Sequence, residues 1–270
     1  MILRRLTDAL RRQDWFTVLI ETLIVVLGVF LGIQLGNWNQ YAADRRTEAE
    51  YLRQLQDDLH NIEAEVDAQI DVEQFHARLA DTVYTLIRSD TSDDRALKIG
   101  MGLSQLSVRR TLRVQSPTFL NLQGSGQLDI ISDPELRAAI ISYFFGTSRL
   151  AAAIDKNNEV FIDQDYIDFI LSKSVPPRRW DNGLMEMELP SAVQISSGFK
   201  QTIWQSPLYA DGGAALSAPP SAEIWDEFAP RLAWRGNISA NNESLAQNLK
   251  AATEDLEAKL ERRLDGRAPG

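Results

Sequence analysis

His60 sits in "DDLHNIE" with Asp57 one helical turn before it and Glu63 one turn after, a spacing that could offer a metal an imidazole and two carboxylates on one helix face. Such polar runs are ordinary on exposed helices, and we read this one as a solvated face. The chain has two histidines and no cysteine, which excludes disulfides, thiolate nucleophiles and zinc-thiolate centres together. His76 lies sixteen residues further on and faces away from His60, so the two share no ion within one chain. "DQDYID", residues 163–168, begins like a calcium loop but lacks its glycine and falls within helical periodicity. "GSG", residues 124–126, has no Gly-x-Ser-x-Gly frame and no leading strand, so Ser125 reads as turn chemistry. No catalytic residue, metal site or cofactor is expected. One group stands apart: Glu21, an acid inside an apolar run.

That run is "WFTVLIETLIVVLGVFLGIQL", residues 15–35, which as a helix rises roughly 31 Å and matches a bilayer core. A transmembrane helix is expected over 15–36. A cleaved signal peptide is the rival, but the apolar run is long for one and the best cleavage position would put bulky Tyr41 where a small residue is needed. Trp15 and Trp38 bracket the span as interfacial anchors. Arg4, Arg5, Arg11 and Arg12 narrowly outnumber Arg45, Arg46 and Arg53, so residues 1–14 are expected as a short basic cytoplasmic tail and the bulk as extracytoplasmic. Within the span, Gly28, Gly32 and Gly36 drift by only about 40° per step, a ridge without side chains that another helix can approach closely. Glu21 falls on the same face, where a carboxyl must be neutralised or paired. The plainer alternative is an acid that snorkels to the interface and glycines that a span merely tolerates. Gln34 points nearly the opposite way, so one partner helix leaves it unexplained.

The rest reads as helices. Residues 40–89 hold no glycine or proline and carry Leu52, Leu55, Leu59, Ile62 and Val66 in alternating steps of three and four, a coiled-coil-like seam. Beyond Val66 the apolar register shifts through Ile70, Phe75, Leu79, Val83 and Leu86, which predicts a stutter. "SDTSDD" breaks the helix, Ser92 is the expected cap of a second one reaching about Ser107, and Gly100 and Gly102 weaken it. Ser116-Pro117 and Asp133-Pro134 each read as an N-cap before a proline, and Gly124 and Gly126 end the first of these helices. A long helix is expected over 134–175, stopped by Pro176 and Pro177. Its apolar centre is short for a second span and holds Arg149, so it reads as a buried bundle helix. Residues 37–175 thus form a helical stalk and bundle, and 176–236, rich in proline, glycine and tryptophan, are expected as loops and short turns. Arg178, Arg179, Trp180, Trp234 and Arg235 in or beside that segment could touch lipid headgroups, or equally serve packing and solubility. The tail, 237–270, carries an amphipathic helix from about Asn242 to Leu264, with Leu245, Leu249, Ala252, Leu256, Leu260 and Leu264 on one face and Gly266 as its stop. The fold class is all-α: a transmembrane helix continuing into a long coiled-coil-like helix and an extended helical bundle.

With both blocks in view, the chain resembles an uncharacterised family of bacterial single-span membrane proteins, a domain of unknown function. The span pattern of that family matches Glu21, Val25, Val26, Gly28, Gln34, Asn37, Trp38 and Asn39. A second block, Ser-Gly-x-Leu-x-x-Ile with Leu-Arg and Tyr following, matches Ser125, Gly126, Leu128, Ile131, Leu136, Arg137 and Tyr143. Neither motif is catalytic, and the family implies no known activity. It implies a bacterial inner membrane protein, single-pass. Where the family pattern has Ala and Asn, this chain has Gly32 and Gly36, so the full glycine ridge is particular to this sequence.

The net charge of -10 repels a phosphate backbone, and no basic stripe offsets it, so nucleic acid is not an expected partner. The expected partners are the membrane and other transmembrane helices, of itself or another protein, within an oligomer or complex. The expectation is a non-enzymatic, membrane-anchored accessory or scaffold subunit. The alternative is an extracytoplasmic ligand-sensing bundle that signals through a separate protein. The fourteen residues before the span are too few for an output domain of its own.

Overall fold

The computed structural model describes residues 15–174, 185–191, 193 and 214–266, with the backbone alone at 15–19, 21 and 214. The chain is all-α, and no strand occurs among the described residues. Helix α1 runs unbroken over Trp15–Ser89, 75 residues, or roughly 110 Å at 1.5 Å per residue. Its glycines do not interrupt it, since in an apolar run the helix is the local way to satisfy every backbone group. The break after Ser89 is held by Arg95, which donates from Nε to Leu86 O (3.0 Å), from Nη2 to Ile87 O (2.7 Å) and from Nη1 to Ala218 O (2.7 Å). The Ile87 carbonyl at the end of α1 is thereby satisfied by a buried guanidinium, which shares the Leu86 carbonyl with Asp90 N.

Helix α2, Arg95–Leu106, begins after Asp94 rather than Ser92, and no side chain caps it. Ser92 is occupied elsewhere: its N–H and Oγ both donate to the Asp90 carboxylate, at 2.9 and 2.8 Å. Gly102 keeps its place because a Cβ there would lie 2.2 Å from Val83 Cγ2; the missing side chain lets α2 lie against α1. Helix α3, Pro117–Gly124, has the expected cap, Ser116 Oγ accepting from Phe119 N, and Asp58 on α1 clamps the same end by accepting from Ser116 Oγ (2.5 Å) and Thr118 N (3.0 Å). A 3-10 turn, Leu128–Ile130, leads to α4, Pro134–Asn157, whose cap Asp133 accepts from Glu135 N and Leu136 N.

The helix expected over 134–175 has this course but not one winding. Asn158–Tyr166 is a π-helix, followed by α5, Ile167–Lys173, and an extended Ser174. Pro176 and Pro177 lie outside the described residues. The apolar face of α4 is buried, Arg149 is exposed, and α1 holds the one described segment long and apolar enough to cross a membrane.

After a short 3-10 turn, Ala214–Ser217, the last helix α6 spans Ile224–Leu264. The expected irregular segment therefore ends well before 236, and the helix starts eighteen residues ahead of Asn242. Pro230 and Gly236 argue locally against this, at about 3 and 1 kcal/mol. Trp225, Phe228 and Leu232 are fully buried by it, and at about 1.5–3 kcal/mol each they outweigh that cost. Gly266, at φ 72°, ends the helix as expected.

Helix α6 returns antiparallel along α1. Arg88 meets Asp226 at one end and Glu48 meets Arg263 at the other, with Asp67–Lys250 between. The buried α1 residues facing it step by four and three without a break: Glu48, Leu52, Leu55, Leu59, Ile62, Val66, Gln69, Glu73, His76, Ala80, Val83 and Ile87. There is no stutter. The expected shift after Val66 arises because the next three core positions are polar, so a count of apolar residues passes over them. Phe75 and Leu79 instead belong to a second packed face, shared with Ile99, Met101 and Tyr166. Two apolar cores result, one around Leu52–Val66 with Ala246–Leu260, the other around Val72–Ile87 with Trp225–Leu232.

Candidate functional site

Along the apolar segment of α1, none of the other described elements covers the helix. Leu23, Val25, Phe30 and Leu35 are all more than half exposed, and a Cβ built at Gly28, Gly32 or Gly36 meets nothing within 4 Å. Trp38 is 74% exposed. The side chains of Glu21 and Trp15 lie outside the described residues. Because α1 is continuous, the direction of the glycine ridge follows from its distance to the seam. At 100° per residue Gly36 stands about 120° round the axis from Glu48, and Gly28 about 200°. A helix seated on the glycines would approach on the side away from α6.

Just beyond the apolar segment, the 125–143 region packs against residues 41–48 of α1. Glu48, almost fully buried, accepts from Ser132 N (3.2 Å) and Oγ (3.0 Å) and from Arg263 Nη2 (2.8 Å), while Arg263 also donates to Ser132 Oγ (2.6 Å). One carboxylate thus ties α1, the start of α4 and the end of α6. Gly126, at φ 68°, makes the turn that an L side chain would strain, and Ser125 Oγ donates to Asn121 O (2.8 Å). Leu128 is half-buried against this core, and Arg137 pairs with Asp129 across the turn. Between the turn and residues 41–48 of α1 lies a groove of about 570 Å³.

No family model, curated protein or solved structure matches the chain.

The second concentration of chemistry is a polar layer between the two apolar cores, which sequence reading missed. Arg235, buried on α6, donates from Nε to Leu106 O (2.8 Å), from Nη1 to Ser239 Oγ, and from Nη2 to Val108 O (3.5 Å) and His76 Nδ1 (3.0 Å). A guanidinium has no acceptor, so His76 Nδ1 accepts and a neutral ring carries its proton on Nε2. Glu73 accepts from Gln69 Nε2 (2.8 Å) and Asn242 Nδ2 (3.1 Å), and Asn242 is bridged to Asn157 and Asn158 where the π-helix begins. Tyr166, at its other end, donates to Leu103 O (3.2 Å). The legible signal was the spacing: Gln69, Glu73 and His76 continue the seam's three-four steps. Chemically the layer offers a buried positive charge with a nearby carboxylate. Among the described residues no His/Asp/Glu group is placed to hold a metal. Polar core positions of this kind set register and orientation in a coiled coil.

Burial raises the Glu73 pKa above the ordinary carboxylate value, against the opposing pull of Arg235 and the hydrogen bonds it accepts. A folded pKa above the unfolded one means that the favourable contribution is complete at low pH and is lost as pH rises through the folded value. Glu73→Gln has no such titration. Its stability relative to wild type should therefore improve as pH is raised from 4.5. Urea midpoints of the two proteins across that range check this, and parallel curves would contradict it.

Proposed function

We propose that the chain is a non-enzymatic, membrane-anchored helical accessory or scaffold subunit of a bacterial inner membrane, its span docking on another membrane helix and its antiparallel coil holding the distal helices off the surface. The observation that carries this reading is the continuity of α1: one helix is bare and apolar over its first part and fully built into the bundle over its second. A load or displacement at the span reaches the coil without a hinge. The glycine ridge, pointing away from α6, leaves room for the partner, and the resemblance of the span to single-span proteins agrees with an anchor. The arginine balance favours a cytoplasmic N-terminus and a periplasmic bundle.

A reporter that is active only outside the cytoplasm, fused after Gly270, is expected to be active in cells whose membranes retain the protein through a carbonate wash. Activity of a cytoplasm-only reporter at the same site would overturn the orientation. Release by carbonate would overturn the anchor.

A further inference from the structure

We propose that His76 and Arg235 form a proton-operated latch across the coil: when the His76 ring takes up a proton, the polar layer opens locally while the apolar core around Leu52–Val66 stays closed. The latch is independent of the anchor. His76 stands on α1 and Arg235 on α6, and both are almost fully buried. The bond between them, 3.0 Å from Nη2 to Nδ1, exists only for a neutral ring, because a guanidinium donates and cannot accept. Nδ1 is the nitrogen that an added proton would occupy. An imidazolium there loses the acceptor and sets a second cation beside the first, where burial makes an uncompensated charge costly. One proton therefore breaks the contact between α1 and α6 at this layer and turns the guanidinium aside. The same group holds Leu106 O (2.8 Å) and Val108 O (3.5 Å), so the end of α2 loosens with it.

Among the described residues, the titratable and charged groups that face this pair are Glu73, three residues before His76 on α1, and Tyr166 at the end of the π-helix, with Arg235 itself on α6. The end of α2 presents backbone carbonyls. Burial pushes the Tyr166 phenol up, so it stays neutral. Glu73 acts with the opposite sign. Burial raises its pKa, its contribution is complete in acid, and its protonation cannot drive opening there. His60, the chain's other histidine, is exposed. An opened His76 binds a proton near about pH 6.5, so acidification from pH 7.5 to 5.5 should favour opening by about tenfold.

The test is hydrogen exchange of the full chain in detergent micelles at these two pH values, read by mass spectrometry, with each rate divided by the intrinsic rate at its pH. In wild type, residues 103–108 and 235–242 should exchange about tenfold faster at pH 5.5, with residues 52–66 unchanged. His60→Gln and Glu73→Gln should keep this acceleration. His76→Gln should lose it, since the amide oxygen can accept from Arg235 and takes up no proton. Nuclear magnetic resonance of the chain carrying isotope-labelled histidine, assigned with His60→Gln, supplies a readout that needs no variant at position 76. The His76 ring should be neutral and protonated on Nε2 at pH 7.5, and should gain its second proton in step with the exchange of 103–108. Equal wild-type rates at the two pH values would overturn the latch, as would a His76→Gln chain that accelerates like wild type. So would acceleration of residues 52–66 by the same factor, which is global acid unfolding, or an imidazolium within a layer that stays protected.

Discussion

Arg235→Ala is expected to destabilise the bundle by about 3–5 kcal/mol, the cost of removing one member of a buried charged network. The guanidinium satisfies Leu106 O, Val108 O, Ser239 Oγ and His76 Nδ1 together, and its charge opposes the effect of burial on Glu73. Truncation strips four acceptors of their donor and leaves Glu73 with its hydrogen bonds but without the nearby positive charge. Arg235→Lys should recover little, because one ammonium cannot reproduce a planar fork aimed at separate carbonyls. Glu73→Gln in the Arg235→Ala background should restore part of the loss, with a coupling of about 0.5–3 kcal/mol. Urea unfolding of residues 40–270 followed by circular dichroism measures each step. An Arg235→Ala protein within about 1 kcal/mol of wild type, the size of an ordinary surface change, would contradict the role given to the layer.

How far the fold was legible follows from which forces are local. The caps at Ser116 and Asp133, the glycine stop at Gly266 and the Leu52–Val66 seam are carried by neighbouring residues, and they appear where their spacing puts them. The start of α6 was not legible, because Pro230 and Gly236 oppose a helix locally and only distant partners of Trp225 and Phe228 reverse the balance. The apparent stutter was an error of the same origin. Gln69, Glu73 and His76 look like surface residues until Asn242 and Arg235, far along the chain, are placed opposite them. His60, the residue most suggestive of chemistry in the sequence, is exposed and bonded to Gln56 O (2.9 Å), while the less conspicuous His76 lies in the core. The Glu48 clasp gave no signal, since a lone glutamate in a polar stretch carries nothing to mark it as buried.

The scaffold reading makes its largest demand on the span. Replacing Gly28 or Gly32 by isoleucine should push a docked helix away and sharply weaken association, whereas Val29→Ile and Phe30→Ile should matter little because those positions face elsewhere. Both classes of variant add or keep apolar surface, so hydrophobicity and insertion are held roughly constant and position alone is varied. Glu21→Gln should be milder than Glu21→Leu, since the amide keeps an interhelical hydrogen bond that contributes about 1 kcal/mol in a membrane. A membrane two-hybrid of the isolated span separates association with itself from association with another helix. The most direct measurement is co-purification of the full chain from membranes in mild detergent: wild type and Phe30→Ile are expected to bring down a stoichiometric membrane partner or a second copy and Gly28→Ile to lose it, and retention by Gly28→Ile at the level of Phe30→Ile would contradict docking through the span.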